Sequence, residues 1–455
     1  MRESDLIYFF SWYSMSPMHL FRFILWIAVI VLTITTDSFA LDLLEAFGKA
    51  KQNDPEYLAI FHDYKATETL RDQSVSKILP QVNLSYTTSR LGFNQNPNPM
   101  YYNDYRTEQT VFSVQQSVFN LPNFIEIKQS DLRGKAGETW FRNAELNLIK
   151  RLADGYFDFL YAEENLKVLD EEKRAIEAQL NMAKRLFQAG EATLTDIHDA
   201  EARYYDVEFR LADAEKNLYA KKKVLSRMIG EEPVSVATLA ERPPLEQIDP
   251  QKPDDWVAIA KTESPYVGFY ALQRGVAEDE LKKQQAQWLP SLALVANHIK
   301  TNTNDFLRTD TLSYRTVGVQ VNMNILSGGY ITAKINEAKE RFLQAGKDYE
   351  KALSEVSQGI VESFFGVKSS VAGIQSSDSA VRASLLSVVS TEKGYQAGIR
   401  TFVDVLNAES NLYRAKLNYL KSNYDYIKSL VSLYFYAGTV SEKQLAEING
   451  WLMRR

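Results

Sequence analysis

The sequence predicts a mainly α-helical chain with a small β part, built as a duplicated helix-strand-strand-helix repeat whose strands belong to a transmembrane barrel shared between copies. Three observations lead there. The second half of the chain repeats the first, two runs of about 65 residues contain no proline, and four short segments alternate apolar with polar residues.

The duplication sets the frame for every element. Residues 186–230 and 394–438 align without a gap at a shift of 208, so that Gln188, Ala189, Gly190, Thr193, Asp196 and Gly230 recur as Gln396, Ala397, Gly398, Thr401, Asp404 and Gly438. Upstream, Ile78-Leu79-Pro80 corresponds to Trp288-Leu289-Pro290, and the stretch ending at Phe119 to the one ending at Leu326. The chain therefore divides into a first repeat over 41–230, a proline-rich linker over 231–253, a second repeat over 254–440 and a tail over 441–455.

Ahead of the repeats, Arg22, the apolar run 23–34 and the small residues Ser38-Phe39-Ala40 have the order of an export signal. Residues 1–40 are read as that signal, with Met18 as a possible start. The apolar run falls short of the roughly 20 residues that a spanning helix needs.

The strands come next. Val82, Leu84 and Tyr86 alternate with Asn83, Ser85 and Thr87, and Phe112, Val114, Gln116 and Val118 with Ser113, Gln115 and Ser117. The run from Val317 to Ile325 alternates at every step, and a weaker run starts at Leu292. Such segments, about 11 residues long, present one face to lipid and the other to water. Exposed backbone cannot stay unpaired in lipid, so the strands must close into a barrel. Four strands are too few for that, because single-chain barrels start at about eight. Several copies must share one barrel.

Each strand pair feeds a long helix. Residues 124–188 and 330–396 lack proline and are rich in Ala, Leu, Glu, Lys and Gln; at 1.5 Å per residue each is about 100 Å long. Both stop at an Ala-Gly step, and a second helix follows near Thr193 and Thr401. These second helices carry a seven-residue period, Tyr204, Leu211, Leu218, Leu225 and Leu412, Tyr419, Tyr426, Leu433, which indicates helix-on-helix packing.

Composition excludes other classes. The formal charge is -6 with a pI near 5.6, and no basic cluster suits nucleic acid. The absence of cysteine removes disulfides and thiolate metal sites. The histidines at 19, 62, 198 and 298 lack metal-ligand spacing, and Ser327-Gly328-Gly329 lacks the ending of a phosphate loop. No catalytic constellation, metal site or cofactor motif is found. On the helices alone, a periplasm-spanning coiled-coil adaptor is the alternative reading.

Taken together, the duplicated order, both Gln-Ala-Gly steps and the segment GYQAGIRTFVDVLNAESNLYRAK at 394–416 resemble the TolC family of outer-membrane efflux and secretion proteins. The resemblance covers about 41–445. It implies a homotrimer with a 12-stranded barrel in the Gram-negative outer membrane, continued by an α-helical periplasmic tunnel. It also implies an exit duct of a tripartite efflux pump or type I secretion system, working with a periplasmic adaptor and an inner-membrane pump of ABC, RND or MFS type. Asp404, with Asn407 next along the face, resembles the family's constriction ring. Thr195 and Asp196 facing Tyr395 and Arg400 resemble the latch that holds the tunnel shut, and the turns at Gly190 and Gly398 resemble the adaptor docking tips. Asn407 departs from the pattern, since an aspartate can occur there.

Overall fold

A computed structural model of the chain describes residues 40–92, 104–240, 243–245, 248–304 and 309–453. The export signal read over 1–40 lies outside the described residues except for Ala40, and so do the tips of both polar loops.

Three short helices lead in: α1 (Leu43–Asn53), α2 (Pro55–Glu68) and α3 (Leu70–Ser76). Asp42 and Asp54 start the first two by accepting from the amides of Glu45 and Tyr57, which satisfies donors that a helix N-terminus leaves free. Strands β1 (Gln81–Gly92) and β2 (Asp104–Phe119) follow, then α4 (Leu121–Gln188) and α5 (Leu194–Ile229). The 68-residue α4 begins at an Asn120 cap with proline in its first turn, where the missing amide costs nothing.

After the two-residue strand β3 (Thr238–Leu239), the second repeat runs α6 (Pro253–Glu263), α7 (Pro265–Gln285), β4 (Ser291–Asn304), β5 (Thr309–Asn322), α8 (Tyr330–Gln396) and α9 (Phe402–Ala437). Helix α10 (Glu442–Asn449) and strand β6 (Leu452–Met453) end the described chain. No helix among the described residues is long and apolar enough to cross a membrane.

The four long strands form one antiparallel sheet in the order β1-β2-β4-β5, so the two repeats meet between β2 and β4. Directly paired residues share a face. The row Val82, Val114, Ala296, Val317 and the row Leu84, Phe112, His298, Arg315 therefore lie on one side, and Asn83, Ser113, Asn297 and Thr316 on the other. The valines of β5 are bare, with Val317 86%, Val319 62% and Val321 64% exposed. Within one chain β1 and β5 have no outer partner, leaving two open edges.

One expectation is corrected. The alternation read to Ile325 leaves the ladder at Asn322, which pairs with Ser291 at the start of β4. Pro290 precedes Ser291 and has no amide to offer. The chain then turns at Gly328 and Gly329, both with positive φ, into α8.

Below the sheet, α4 packs along α5 and α8 along α9, with α7 between α4 and α8 and α9 also against α4. In α5 Ala200, Val207 and Ala214 are buried, offset from the half-buried Tyr204, Leu211 and Leu218, whereas Leu225 at the end of that period is fully buried, and Leu412, Tyr426 and Leu433 of the period in α9 are buried too. Small residues allow the helices to approach, so the alanines and valine take the seam. At mid-height the largest core gathers Leu43, Phe47, Tyr156, Phe157, Leu160, Tyr426 and Trp451. The segment after α5 is not free there: Leu41 bridges Val236, β3 pairs with β6, and the buried Tyr156 hydroxyl reaches the carbonyls of Leu41 (2.9 Å) and Ala237 (3.0 Å).

Candidate gate at the inner end of the helices

The ends of the helical hairpins remote from the sheet are built by one repeated device. Helix α4 stops at Ala189, Gly190 takes φ +77°, and the amide of Glu191 returns to the carbonyl of Leu186 at 2.8 Å. Gly398, at φ +70°, does the same in the second repeat, with Ile399 bonded to the carbonyl of Gly394 at 2.8 Å. A left-handed residue at this point satisfies carbonyls that the helix end leaves free, and glycine adopts that conformation without a Cβ clash.

Three residues on, a threonine restarts each helix. The Thr193 hydroxyl accepts from the Asp196 amide (3.2 Å) while the Asp196 carboxylate accepts from the Thr193 amide (2.8 Å) and hydroxyl (2.8 Å). Thr401 and Asp404 repeat the exchange at 3.2 and 2.9 Å. These are reciprocal capping boxes with aspartate in the third helical position. The spacing Gly-x-x-Thr-x-x-Asp therefore has a local task in both repeats, beyond any role at an aperture.

That geometry fixes the charge of Asp404. Its carboxyl is held below the usual carboxylate range, first by the Thr401 amide, then by the Thr401 hydroxyl, with the field of Arg400 adding to both. The side chain is partly exposed, so this governs its protonation and carries little stability.

The four residues read as a latch, Thr195, Asp196, Tyr395 and Arg400, are distributed unevenly. Tyr395 lies on the apolar seam of Leu180, Ala183, Ile197 and Leu406, with its ring 5.8 Å from that of Phe402. Partial burial raises its hydroxyl pKa, and the carboxylates of Asp196 and Glu191 add to the rise, which places the phenol within the field of the other hairpin. Thr195 is exposed beside them. Arg400 instead folds along its own hairpin, where Gly394 leaves room: a Cβ there would stand 2.8 Å from Arg400 Cγ. Inside one chain the Asp196 carboxylate bonds to Thr193.

Two contacts between hairpins were not foreseen. Arg203 of α5 donates from Nη2 to Asn407 Oδ1 of α9 at 2.9 Å. Asn407 thus ties the two hairpins at the level of the candidate constriction. Higher up, Glu409 of α9, only 6% exposed, accepts from Gln179 Nε2 of α4 at 2.9 Å. Glu409 Oε2 and Gln179 Oε1 both remain buried without a partner. The repeat logic hides both pairs, because Arg203 aligns with Asn411 and Glu409 with Glu201, and equivalent residues do not touch.

Further up the same seams, Arg210 grips the buried Glu172 with two bonds of 2.7 and 3.1 Å, joining α5 to α4. The half-buried Asp158 of α4 takes Lys221 of α5 and Lys428 of α9 together. No group of three or more His, Asp or Glu residues among the described residues is placed to hold a metal ion. The inner end therefore offers capped turns, a carboxylate of fixed charge and a few tunable bonds between hairpins, an arrangement suited to opening and closing.

Comparison with known proteins places the chain in a family and its fold among solved structures. The model of a family described as outer membrane efflux protein matches residues 46–231 and 256–439. The alkaline protease secretion protein AprF of Pseudomonas aeruginosa is 27% identical over 441 residues, covering 93% of this chain and 90% of its own. The outer membrane protein TolC of Vibrio cholerae is 26% identical over 427 residues, covering 92% and 96%. Among solved structures, CusC superposes with a TM-score of 0.76 at 14% identity, covering 88% of this chain and 93% of its own. VceC of Vibrio cholerae gives 0.72 at 17%, covering 87% and 96%. At those identities the superpositions speak to fold alone.

Proposed function

Because the chain belongs to the outer membrane efflux protein family and is an outer-membrane exit duct for efflux or type I secretion, extending into the periplasm, we propose that three copies assemble into one conduit. The observation that carries the proposal is the sheet: four strands, one bare apolar face and two open edges, β1 and β5. Lipid tolerates no open edge, so β1 of one copy pairs with β5 of the next until the ring closes. Three copies give 12 strands, and their helices continue the wall as a tunnel. The repeats 41–230 and 254–440 each supply two strands and one hairpin of that wall, while 231–253 and 441–455 form a belt around its middle.

Channels of this family work with an adaptor and an inner-membrane pump in tripartite systems. For this chain the pump is of ABC, RND or MFS type, the adaptor docks on the tips at Gly190 and Gly398, and transport needs no catalysis by the duct itself. Relatives named for protease secretion make a protein cargo one candidate. At the inner end, three copies of Asp404 form a ring of carboxylates with Asn407 behind it. Thr195 and Asp196 of one hairpin face Tyr395 and Arg400 of the other across the gap that opens.

The absence of native cysteine makes the assembly testable. Within one sheet β1 and β5 are separated by two strands, about 14 Å at 4.8 Å per spacing, beyond the reach of a disulfide. Cysteines placed in pairs along these two edges should yield dimers and trimers on a denaturing gel after oxidation, and the purified protein should conduct ions in a planar bilayer. A water-soluble monomer that neither crosslinks nor conducts refutes the reading. A crosslinked ring of two or four copies refutes the stoichiometry alone.

A further inference from the structure

On β4 and β5 the apolar face of the sheet ends at a sharp level, and what lies above it there is basic, while Leu84, Phe112 and Tyr86 carry the apolar face higher on β1 and β2. On β5 the outward positions Val321, Val319 and Val317 are followed by Arg315, and Met323 and Ile325 continue the exposed apolar series below. From Val321 to Val317 is about 13 Å along the strand at 3.3 Å per residue, or about 10 Å of height for a strand tilted by about 40°. Met323 and Ile325, exposed beyond the end of the ladder, carry the series on toward the helices, within the apolar band of roughly 25 Å that encircles an outer-membrane barrel. On the neighbouring β4, Leu294 and Ala296 give way to His298 at the same level, since His298 pairs directly with Arg315. Lys300 is the next outward residue and lies diagonal to Arg315, within about 8 Å.

The opposite face inverts at this level. Val111, Ile299 and Tyr314 form one row on the side that below is lined by Ser113, Asn297 and Thr316. On β4 and β5 the outside therefore becomes cationic above the apolar row, on the half of the barrel nearer the loops and away from the helices. Neither Lys300 nor Arg315 has an ion-pair partner among the described residues. Glu108, the carboxylate on that face one level higher, is already paired with Arg106 at 3.0 Å.

We propose that His298, Lys300 and Arg315 form a binding site for the phosphate groups of the outer-leaflet glycolipid, one site per copy on the lipid-facing rim of the barrel. The proposal rests on the reading of the chain as an outer-membrane duct and names what that membrane contributes. The apolar rows below hold the acyl chains, and two exposed cations at one phosphate's separation hold the headgroup. A guanidinium supplies a planar pair of donors and an ammonium a point charge, a combination that suits phosphate oxygens. Sited at the rim, the cations avoid the cost that charge incurs at the middle of the bilayer.

Native mass spectrometry of the delipidated oligomer, given back lipid A with both phosphates, enzymatically dephosphorylated lipid A, or inorganic phosphate, tests the site. Two basic residues at a lipid surface contribute roughly tenfold to thirtyfold in affinity. The wild-type protein should retain the phosphorylated lipid by about that factor over the dephosphorylated one, inorganic phosphate should not compete, and Lys300→Gln with Arg315→Gln should abolish the preference. Lys300→Arg should keep it. Equal retention of the two lipids by the wild-type protein overturns the site without recourse to any variant, and so does competition by inorganic phosphate. Conductance is recorded on the same preparations. A conducting protein without lipid preference sinks only the phosphate site, whereas a protein that never inserts or conducts sinks the duct reading and the site with it.

Discussion

Replacing Glu409 by glutamine should stabilise the protein at neutral pH and remove one component of its pH dependence. In the structure the carboxyl is buried between α9 and α4, accepts one bond from Gln179 Nε2, and leaves Glu409 Oε2 and Gln179 Oε1 unpartnered. Burial raises its pKa above the ordinary 4.5; Gln179 works against the rise, and the carboxylates of Glu392 on α8 and Glu172 on α4 add to it. A single proton on Oε2 would donate to Gln179 Oε1 and satisfy both orphaned oxygens in one cyclic acid-amide pair.

The sign follows from linkage. A group whose pKa is higher in the folded state contributes stability that is present below about 4.5 and is lost as pH rises through the raised value. A buried polar group without a partner costs about 1–3 kcal/mol. Glu409→Gln reproduces the protonated arrangement with an amide in place of the acid. It should therefore gain about 1–3 kcal/mol per chain at pH 8 and close to nothing at pH 5. Thermal unfolding in detergent, followed by helical circular dichroism at a fixed scan rate, reads this as a rise of a few degrees at pH 8 only. Glu409→Ala, which strands the whole Gln179 amide, should be less stable than wild type at pH 5. If wild type and Glu409→Gln lose stability in parallel between pH 5 and 8, the buried pair is not the titrating element and the reasoning fails.

Other perturbations have equally definite outcomes. Asp404→Asn keeps an oxygen for the Thr401 amide but removes the charge, so single-channel recordings should lose cation preference while helical content is unchanged; retained selectivity would count against the carboxylate ring. Because the Asp404 carboxyl is held below its usual range, the wild-type preference should persist as pH falls through the ordinary carboxylate range. Arg203→Ala or Asn407→Ala cuts the 2.9 Å tie between α5 and α9. An exposed link of this kind contributes less than about 1 kcal/mol, so a severalfold rise in resting conductance is expected, with Asn407→Asp acting in the opposite direction. Gly438→Ala should be far worse than Gly190→Ala. Both glycines have positive φ, but a Cβ at 438 would stand 2.6 Å from the Glu263 carbonyl oxygen and the Ser264 Cα, whereas one at 190 meets nothing within 4 Å. Strain alone costs about 1–2 kcal/mol, and the backbone clash should add enough to prevent assembly, as seen by yield of oligomer.

The sequence by itself determined the elements and where they stop. Proline-free runs, Ala-Gly steps and alternation are local signals, set by backbone sterics and by neighbours within a turn or two; they place α4 and α8 in nearly their observed spans and locate the four strands, which run 12 to 16 residues and so exceed the roughly 11 read. The exception is instructive: the strand read to Ile325 ends at Asn322, because its length depends on the partner β4, which begins only after Pro290. Tertiary structure alone decided which residues meet. The adjacency of β2 and β4, the pairing of Arg203 with Asn407 across 204 positions and that of Gln179 with Glu409 across 230 follow from how each helix is rotated about its axis and how far it slides along its neighbour. No local pattern records those two quantities, since they are fixed by the close packing of alanine and valine seams distributed over the whole length of the shaft.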